Sequence, residues 1–174
     1  MMLVSLAPHS WDCRNSMKLL IKQRVFSWTD TYDVYDYMGE PKYYVKAEFF
    51  SFGHSLHIYH HDTDEEIGHI KEKIFTFLPA AEIYVGGSFL GTIRKEFTFF
   101  VPKYTIDYNG WDIEGDFLGW EYEVRSHRGT VASISKQLFR FGDTYEIDIE
   151  DPSDELDALL TVITIDMMNC SNDD

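Results

Sequence analysis

His54, His57, His60 and His61 crowd into one short segment that runs straight into Asp62, Asp64, Glu65 and Glu66. Imidazole nitrogens and carboxylate oxygens are the ligand types of zinc and its first-row neighbours, so by residue type this is the most ligand-like stretch of the chain. Side chains alternate across an extended strand, which puts His57 and His61 on one face and His54 and His60 on the other. No more than two neighbouring imidazoles then converge without help from elsewhere. The expectation is solvent-facing histidines leading into an acidic turn, with no metal and no cofactor.

Carboxylates form a second cluster around Asn109-Gly110. A two-residue turn there sets Asp107 opposite Asp112, with Glu114 and Asp116 close by, and directly opposed like charges repel. A hard cation can relieve such repulsion, but the spacing is not that of an EF-hand loop, and exposed carboxylates splay apart and are screened. Lys18, Lys22 and Arg24 alternate along the first strand and make the one compact basic face that spacing predicts. It suits an anionic headgroup or, more blandly, an edge strand guarded by lysines against self-pairing. Asp166 falls near the end of the last patterned segment and is expected at a rim or beside a basic residue. Nothing matches a phosphate-cradling loop, a dinucleotide fingerprint, a nucleophile elbow or a paired-histidine zinc helix, and Gly86, Gly87 and Gly91 read as turn glycines.

The whole-chain balance narrows the partners. With 30 acidic against 15 basic residues, the formal charge of −15 argues against binding nucleic acid and against adsorption onto anionic lipid as a whole-molecule effect. Cys13 and Cys170 sit near opposite ends without metal-ligand spacing, which fits a reducing cytosol and a cytoplasmic protein. Met1 to Pro8 is apolar but has no basic flank and too short an apolar run for a signal peptide. Residues 1–16 therefore read as an extension without structure, 17–169 as a single domain and 170–174 as a tail, with Met17 the expected native start. The apolar stretch from Ala158 to Met168 is far shorter than the roughly 20 residues that span a bilayer.

These side chains must be positioned by strands. From Leu19 to Glu150 short aromatic and β-branched runs alternate with a period of two, punctuated by Gly, Asn and Asp. Asn109-Gly110 predicts a hairpin that buries Tyr104, Ile106, Tyr108, Trp111 and Ile113, facing Tyr108 with Trp111 and Ile106 with Ile113. Gly86-Gly87 predicts a neighbouring hairpin in which Tyr84 faces Phe89 while Ile83, Val85 and Leu90 share the other face. Phe75-Thr76-Phe77 with Pro79 and Ile83 recurs as Phe97-Thr98-Phe99 with Pro102 and Ile106, and Gly68-His69-Ile70 recurs as Gly91-Thr92-Ile93, an offset of 22 to 23 residues. A repeated meander is implied.

After Tyr145, Ile147 and Ile149 the period changes. Asp151 is a helix cap, Pro152 suits a first turn and Asp154 favours the positive dipole end. The body from Leu156 to Met168 is apolar over most of its circumference, leaving a thin stripe of Asp157, Thr161 and Thr164, whereas a surface helix shows a wide polar face. Burying these side chains contributes on the order of 15 kcal/mol gross, so the helix must be surrounded. A closed sheet of about twelve strands can do this, since roughly fifteen helical residues and a seven-residue strand span similar lengths. The predicted class is therefore α+β, mainly β: a closed antiparallel barrel around a buried hydrophobic C-terminal helix.

The segments Lys22-Gln23-Arg24-Val25-Phe26-Ser27, Phe49-Phe50-Ser51-Phe52-Gly53, Ile113-Glu114-Gly115-Asp116-Phe117, Ile134-Ser135-Lys136 and Gly142-Asp143-Thr144-Tyr145, ahead of the apolar helix, together resemble the LURP-one-related family. That family belongs with the tubby C-terminal and phospholipid scramblase domains. The resemblance runs over about residues 17 to 169, and it implies a twelve-stranded barrel wrapped around a hydrophobic C-terminal helix and no catalytic motif. Tubby domains bind phosphoinositides through surface lysines and arginines, so the resemblance also implies a role in surface binding. The leading expectation is a non-catalytic domain that binds a protein partner or a membrane headgroup, with Lys18, Lys22 and Arg24 as its candidate contact. Two alternatives stand beside it: a small-ligand carrier whose lumen persists along the Asp157, Thr161 and Thr164 stripe, and a metal-dependent enzyme using the His54 to His61 cluster.

Overall fold

The structure is a computed structural model that describes residues 16–22, 31–50, 53–98, 103–116, 121–139 and 142–170. Within these residues the strands are β1 (Met17–Lys22), β2 (Thr31–Asp36), β3 (Pro41–Phe50), β4 (Gly53–His60), β5 (Glu66–Glu72), β6 (Ala80–Val85), β7 (Ser88–Glu96), β8 (Lys103–Ile106), β9 (Asp112–Asp116), β10 (Glu121–Ser126), β11 (Gly129–Phe139) and β12 (Gly142–Ile149). Every strand pairs antiparallel with its sequence neighbours, and β1 pairs with β12 to close the barrel. β1 is bonded on both sides, to β12 and to β2, so it is not an edge and its lysines guard none. Closure itself removes the self-pairing hazard.

One helix, α1 (Glu155–Cys170), follows a single 3-10 turn over Pro152–Asp154. The Asp151 carboxylate accepts the Ser153 N–H at 2.9 Å, as the capping pattern predicts. α1 is buried along most of its length: Ala158, Leu159, Leu160, Thr161, Val162, Thr164 and Met167 are fully buried, and Ile163, Ile165 and Met168 nearly so. They meet inward-facing Leu19, Val34, Val45, Leu56, Ile70 and Ile147 of the wall in one apolar core. Thr164 satisfies its hydroxyl by donating to the Leu160 carbonyl at 2.7 Å, which makes a buried threonine tolerable in a helix. Half-buried Asp157 has its carboxyl pushed up chiefly by burial, opposed by a hydrogen bond from Asn109.

The two turn dihedrals are as predicted, but the register they were expected to fix is not. Asn109 (φ 49°) and Gly110 (φ 68°) both take the left-handed conformation expected of them. The β8–β9 ladder, however, pairs Thr105 with Asp112, a slip of two residues from a minimal hairpin. A two-residue slip preserves the faces, so Tyr104, Ile106, Tyr108, Trp111 and Ile113 are buried as expected. Around Gly86-Gly87, Tyr84 does pair with Phe89, but a bulge between Ile83 and Tyr84 leaves Leu90 exposed instead of sharing the face of Ile83. Gly91 is not a turn residue. It lies within β7, where a Cβ would collide with the buried Tyr108 ring and stand 2.6 Å from an Asp107 carboxylate oxygen.

An up-and-down barrel sends successive links to alternate ends. The links after β2, β4, β6, β8, β10 and β12 share the end where α1 enters, and they carry Asp36, Glu40, Asp62, Asp64, Glu65 and Asp151. The links after β5 and β7 reach the opposite end, where Phe75, Phe77 and Phe97 stand 96%, 92% and 67% exposed. These are the repeated Phe-Thr-Phe motifs: the repeat unit is a pair of strands, β5–β6 then β7–β8.

Candidate functional site

Three surfaces carry the residues singled out by sequence. On the first, the outer faces of β3 to β7, cross-strand register builds an aromatic ladder. Tyr44 stacks on Tyr59 with centroids 4.9 Å apart, His57 on His69 at 4.2 Å, His69 on Tyr84 at 5.5 Å, and Tyr84 meets Phe89 edge-on at 5.6 Å. Each contact joins directly paired residues of adjacent strands. Lys46 lies over this ladder, its ammonium 4.9 Å from the Tyr59 centroid and 5.2 Å from that of Tyr44.

The histidine segment does not act as one cluster. His54 turns to Glu72, with Nδ1 2.5 Å from a carboxylate oxygen. His60 packs edge-on against Tyr43, and exposed His61 lies 3.9 Å from Asp62. His57 alone joins a convergent group, and its partner comes from β5: the β4–β5 register sets His57 against His69. Its Nδ1 is 3.3 Å from a Glu66 carboxylate oxygen and its Nε2 is 3.6 Å from one of Glu48. His69 is held below the usual histidine value, first by burial and then by His57, with Glu66 and Glu48 opposing. Beside the pair is a depression of about 380 Å3 lined by Glu48, His54, Ser55, His57, His69 and Lys71 with Gly53. His69 was missed by the sequence reading because it belongs to no histidine run; folding the segment back at the 61–65 turn would have placed it opposite His57.

The second surface is the basic face, and it is divided. Lys18 donates to Glu146 at 2.6 Å and lies 3.1 Å from Asp148, so two carboxylates of β12 hold it and the Glu146 hydrogen bond raises its pKa. Lys22 ends β1 at the opposite, phenylalanine end; its side chain and Arg24 lie outside the described residues. Nor do Asp107 and Asp112 oppose each other. Asp107 is drawn to β7, accepting the Thr92 N–H at 2.5 Å with Arg94 3.9 Å away, while Glu114 lies 3.6 Å from Arg125. The like-charge pair that would have invited a cation is thereby dissolved. Half-buried Asp166 lies close enough to raise the pKa of the fully buried Tyr122, after burial itself.

The third surface is the phenylalanine end. Phe75 occupies the left-handed region (φ 62°), unusual for a bulky residue, while its ring remains in solvent. Lys73 pairs with Glu82 at 2.8 Å and Lys103 with Glu96 at 3.3 Å beside these links. Lys95 lies 6.0 Å from the Tyr104 ring, and burial lowers its pKa. Tyr37 and Met38, also exposed, sit instead in the Asp36–Glu40 turn among carboxylates. Inside the barrel, Thr161 and Thr164 of the stripe proposed for a ligand are fully buried and Asp157 is half-buried. Burial pushes Tyr108 up to about 12, with the neighbouring Thr161 hydroxyl opposing the shift.

Comparison with known proteins places this geometry. The family model described as LURP-one-related matches residues 17–166. The uncharacterized protein YxjI of Bacillus subtilis (strain 168) is 30% identical over 158 residues, spanning 91% of this chain and 97% of that protein. An X-ray structure of an Arabidopsis thaliana protein aligns with a TM-score of 0.58 over 87% of this chain and 90% of that one, and at 14% identity the likeness is one of fold.

Proposed function

The chain belongs to the LURP-one-related family, and from that premise we propose that it is a non-catalytic domain that docks on a membrane surface through its phenylalanine end. The observation that carries this reading is the near-complete exposure of Phe75 and Phe77, joined at the same end by Phe97. Rings on separate loop tips lodge between lipid headgroups, whereas a flat protein partner is met by a contiguous apolar patch. Lys73 and Lys103, each paired with a glutamate, flank these tips with Lys95, and Lys22 ends β1 at the same level. Carboxylates concentrate at the far end, so an anionic surface repels one pole of the molecule and orients it with the rings down. The helix supports the same assignment by occupying the volume in which a barrel carrier holds its cargo. None of the described helices is long and apolar enough to cross a membrane.

Co-sedimentation with vesicles of phosphatidylcholine, with and without phosphatidylserine, tests this. Binding that is lost in a Phe75→Ser/Phe77→Ser variant supports the reading. Equal recovery of the variant and the parent chain overturns it. A salt-dependent share that disappears with Lys22→Glu and Arg24→Glu would extend the contact to the first strand.

A further inference from the structure

We propose that His57, His69 and Glu66 form a site for a divalent first-row transition metal ion, typified by zinc, on the outer face of β4 and β5. One ligand atom from each of the three lies within 4.8 Å of the others. Two nitrogens and a carboxylate oxygen form the donor set that borderline metals prefer, and hard cations such as calcium and magnesium require more oxygens than this site offers.

Two further observations point to a ligand. His57 Nδ1, which faces a Glu66 carboxylate oxygen at 3.3 Å, and His69 Nε2 are both buried and neither makes a hydrogen bond. An uncompensated buried ring nitrogen is costly, and a metal ion satisfies both at once. Glu48 then takes a supporting role: with Nδ1 turned to the metal, Nε2–H of His57 points towards the Glu48 carboxylate 3.6 Å away, the outer partner that fixes the tautomer and orientation of a ligating histidine. Rings stacked at 11° direct their lone pairs nearly in parallel, so binding tilts the pair together. Zinc–nitrogen bonds of about 2.0–2.1 Å draw the ligand atoms inward to suit. Three protein ligands leave a fourth position open, beside the depression lined by Glu48 and Lys71. The site is independent of the membrane reading, since it lies on the barrel wall and involves none of the phenylalanine links.

The test uses the purified full chain, stripped with chelator and titrated with zinc alone by calorimetry, and with cobalt alone followed by its visible absorption. The expected result is one equivalent bound, with d–d bands of a nitrogen–oxygen site. His57→Ala and His69→Ala should each weaken binding by more than about 100-fold and Glu48→Gln by about 10-fold. His60→Ala and His61→Ala should leave it unchanged. Circular dichroism confirms that each variant is folded, and Glu66→Gln supplies a ligand deletion that keeps the side-chain shape. No binding to the wild-type chain, or undiminished binding to the His57→Ala/His69→Ala double variant, overturns the proposal.

Discussion

Replacing Phe75 and Phe77 by serine should separate the proposed membrane docking from folding, because these rings take almost no share in either the core or the ladder. At 96% and 92% exposure they gain nothing from folding, so the double variant should unfold within about 0.5 kcal/mol of the parent. Burying a phenylalanine side chain fully yields about 1.5–3 kcal/mol, and a ring lodged at the headgroup boundary realises roughly half of that. Losing both rings therefore costs about 2 kcal/mol of attachment, close to a 30-fold fall in the vesicle partition coefficient. The substitutions leave charge untouched, so any electrostatic attraction persists and the salt dependence should keep its slope. Phe75→Gly adds a second handle: the backbone at φ 62° suits glycine, and relief of about 1 kcal/mol of left-handed strain should raise the melting temperature even as vesicle binding falls. Vesicle sedimentation and thermal unfolding on the same samples decide it. Unchanged partitioning, or a melting temperature lowered as far as by a core truncation, would refute the reasoning.

Further expectations concern the barrel and its histidines. Leu159→Ala empties space in the fully buried helix and should cost about 2–5 kcal/mol by denaturant titration, well beyond any substitution at the phenylalanine end. Gly91→Ala drives a methyl group into the Tyr108 ring and should destabilise by about 1–3 kcal/mol, which a substitution at a free turn would not. His69, whose pKa burial and His57 lower from 6.5, stays neutral in the folded chain after the unfolded chain has taken up its proton. The stability of metal-free protein should therefore fall as pH drops through 6.5 towards that lowered pKa and level off below it, and His69→Gln should flatten this step.

The sequence exposes features governed by local sterics or by one-dimensional pattern, and hides those governed by pairing between distant strands. The burial of α1 was legible because Asp151 and Pro152 announce its start and its apolar residues leave no broad polar face. The faces of β8 and β9 were legible for the same reason, since parity survives a slip of two residues. Their register was not. Asn109-Gly110 sets two φ angles but does not by itself fix which residues face each other beyond the turn, and the lost pairing of Asp107 with Asp112 follows from that freedom. The histidine pair fails for a related reason: His57 and His69 lie on different strands, joined across a turn whose sequence says only that it is acidic. Gly91 resembled a turn glycine because no local signal announces Tyr108 arriving from the link after β8.

The 22- to 23-residue repeat acquires a consequence once the topology is known. In an up-and-down barrel each link lies at the end opposite its predecessor, so chemistry repeated every two strands is delivered to one end only. Phe75 and Phe77 follow β5 and Phe97 follows β7, and both links therefore reach the same pole although a complete hairpin separates them. A repeat of one strand would have distributed the rings over both poles and cancelled any axial polarity. The two-strand period instead lets carboxylates gather at the entry of α1 while exposed phenylalanines gather at its exit. With the lumen filled by α1, that polarity is what the proposed docking on a planar anionic surface would use, one aromatic pole and one acidic pole giving it a single orientation.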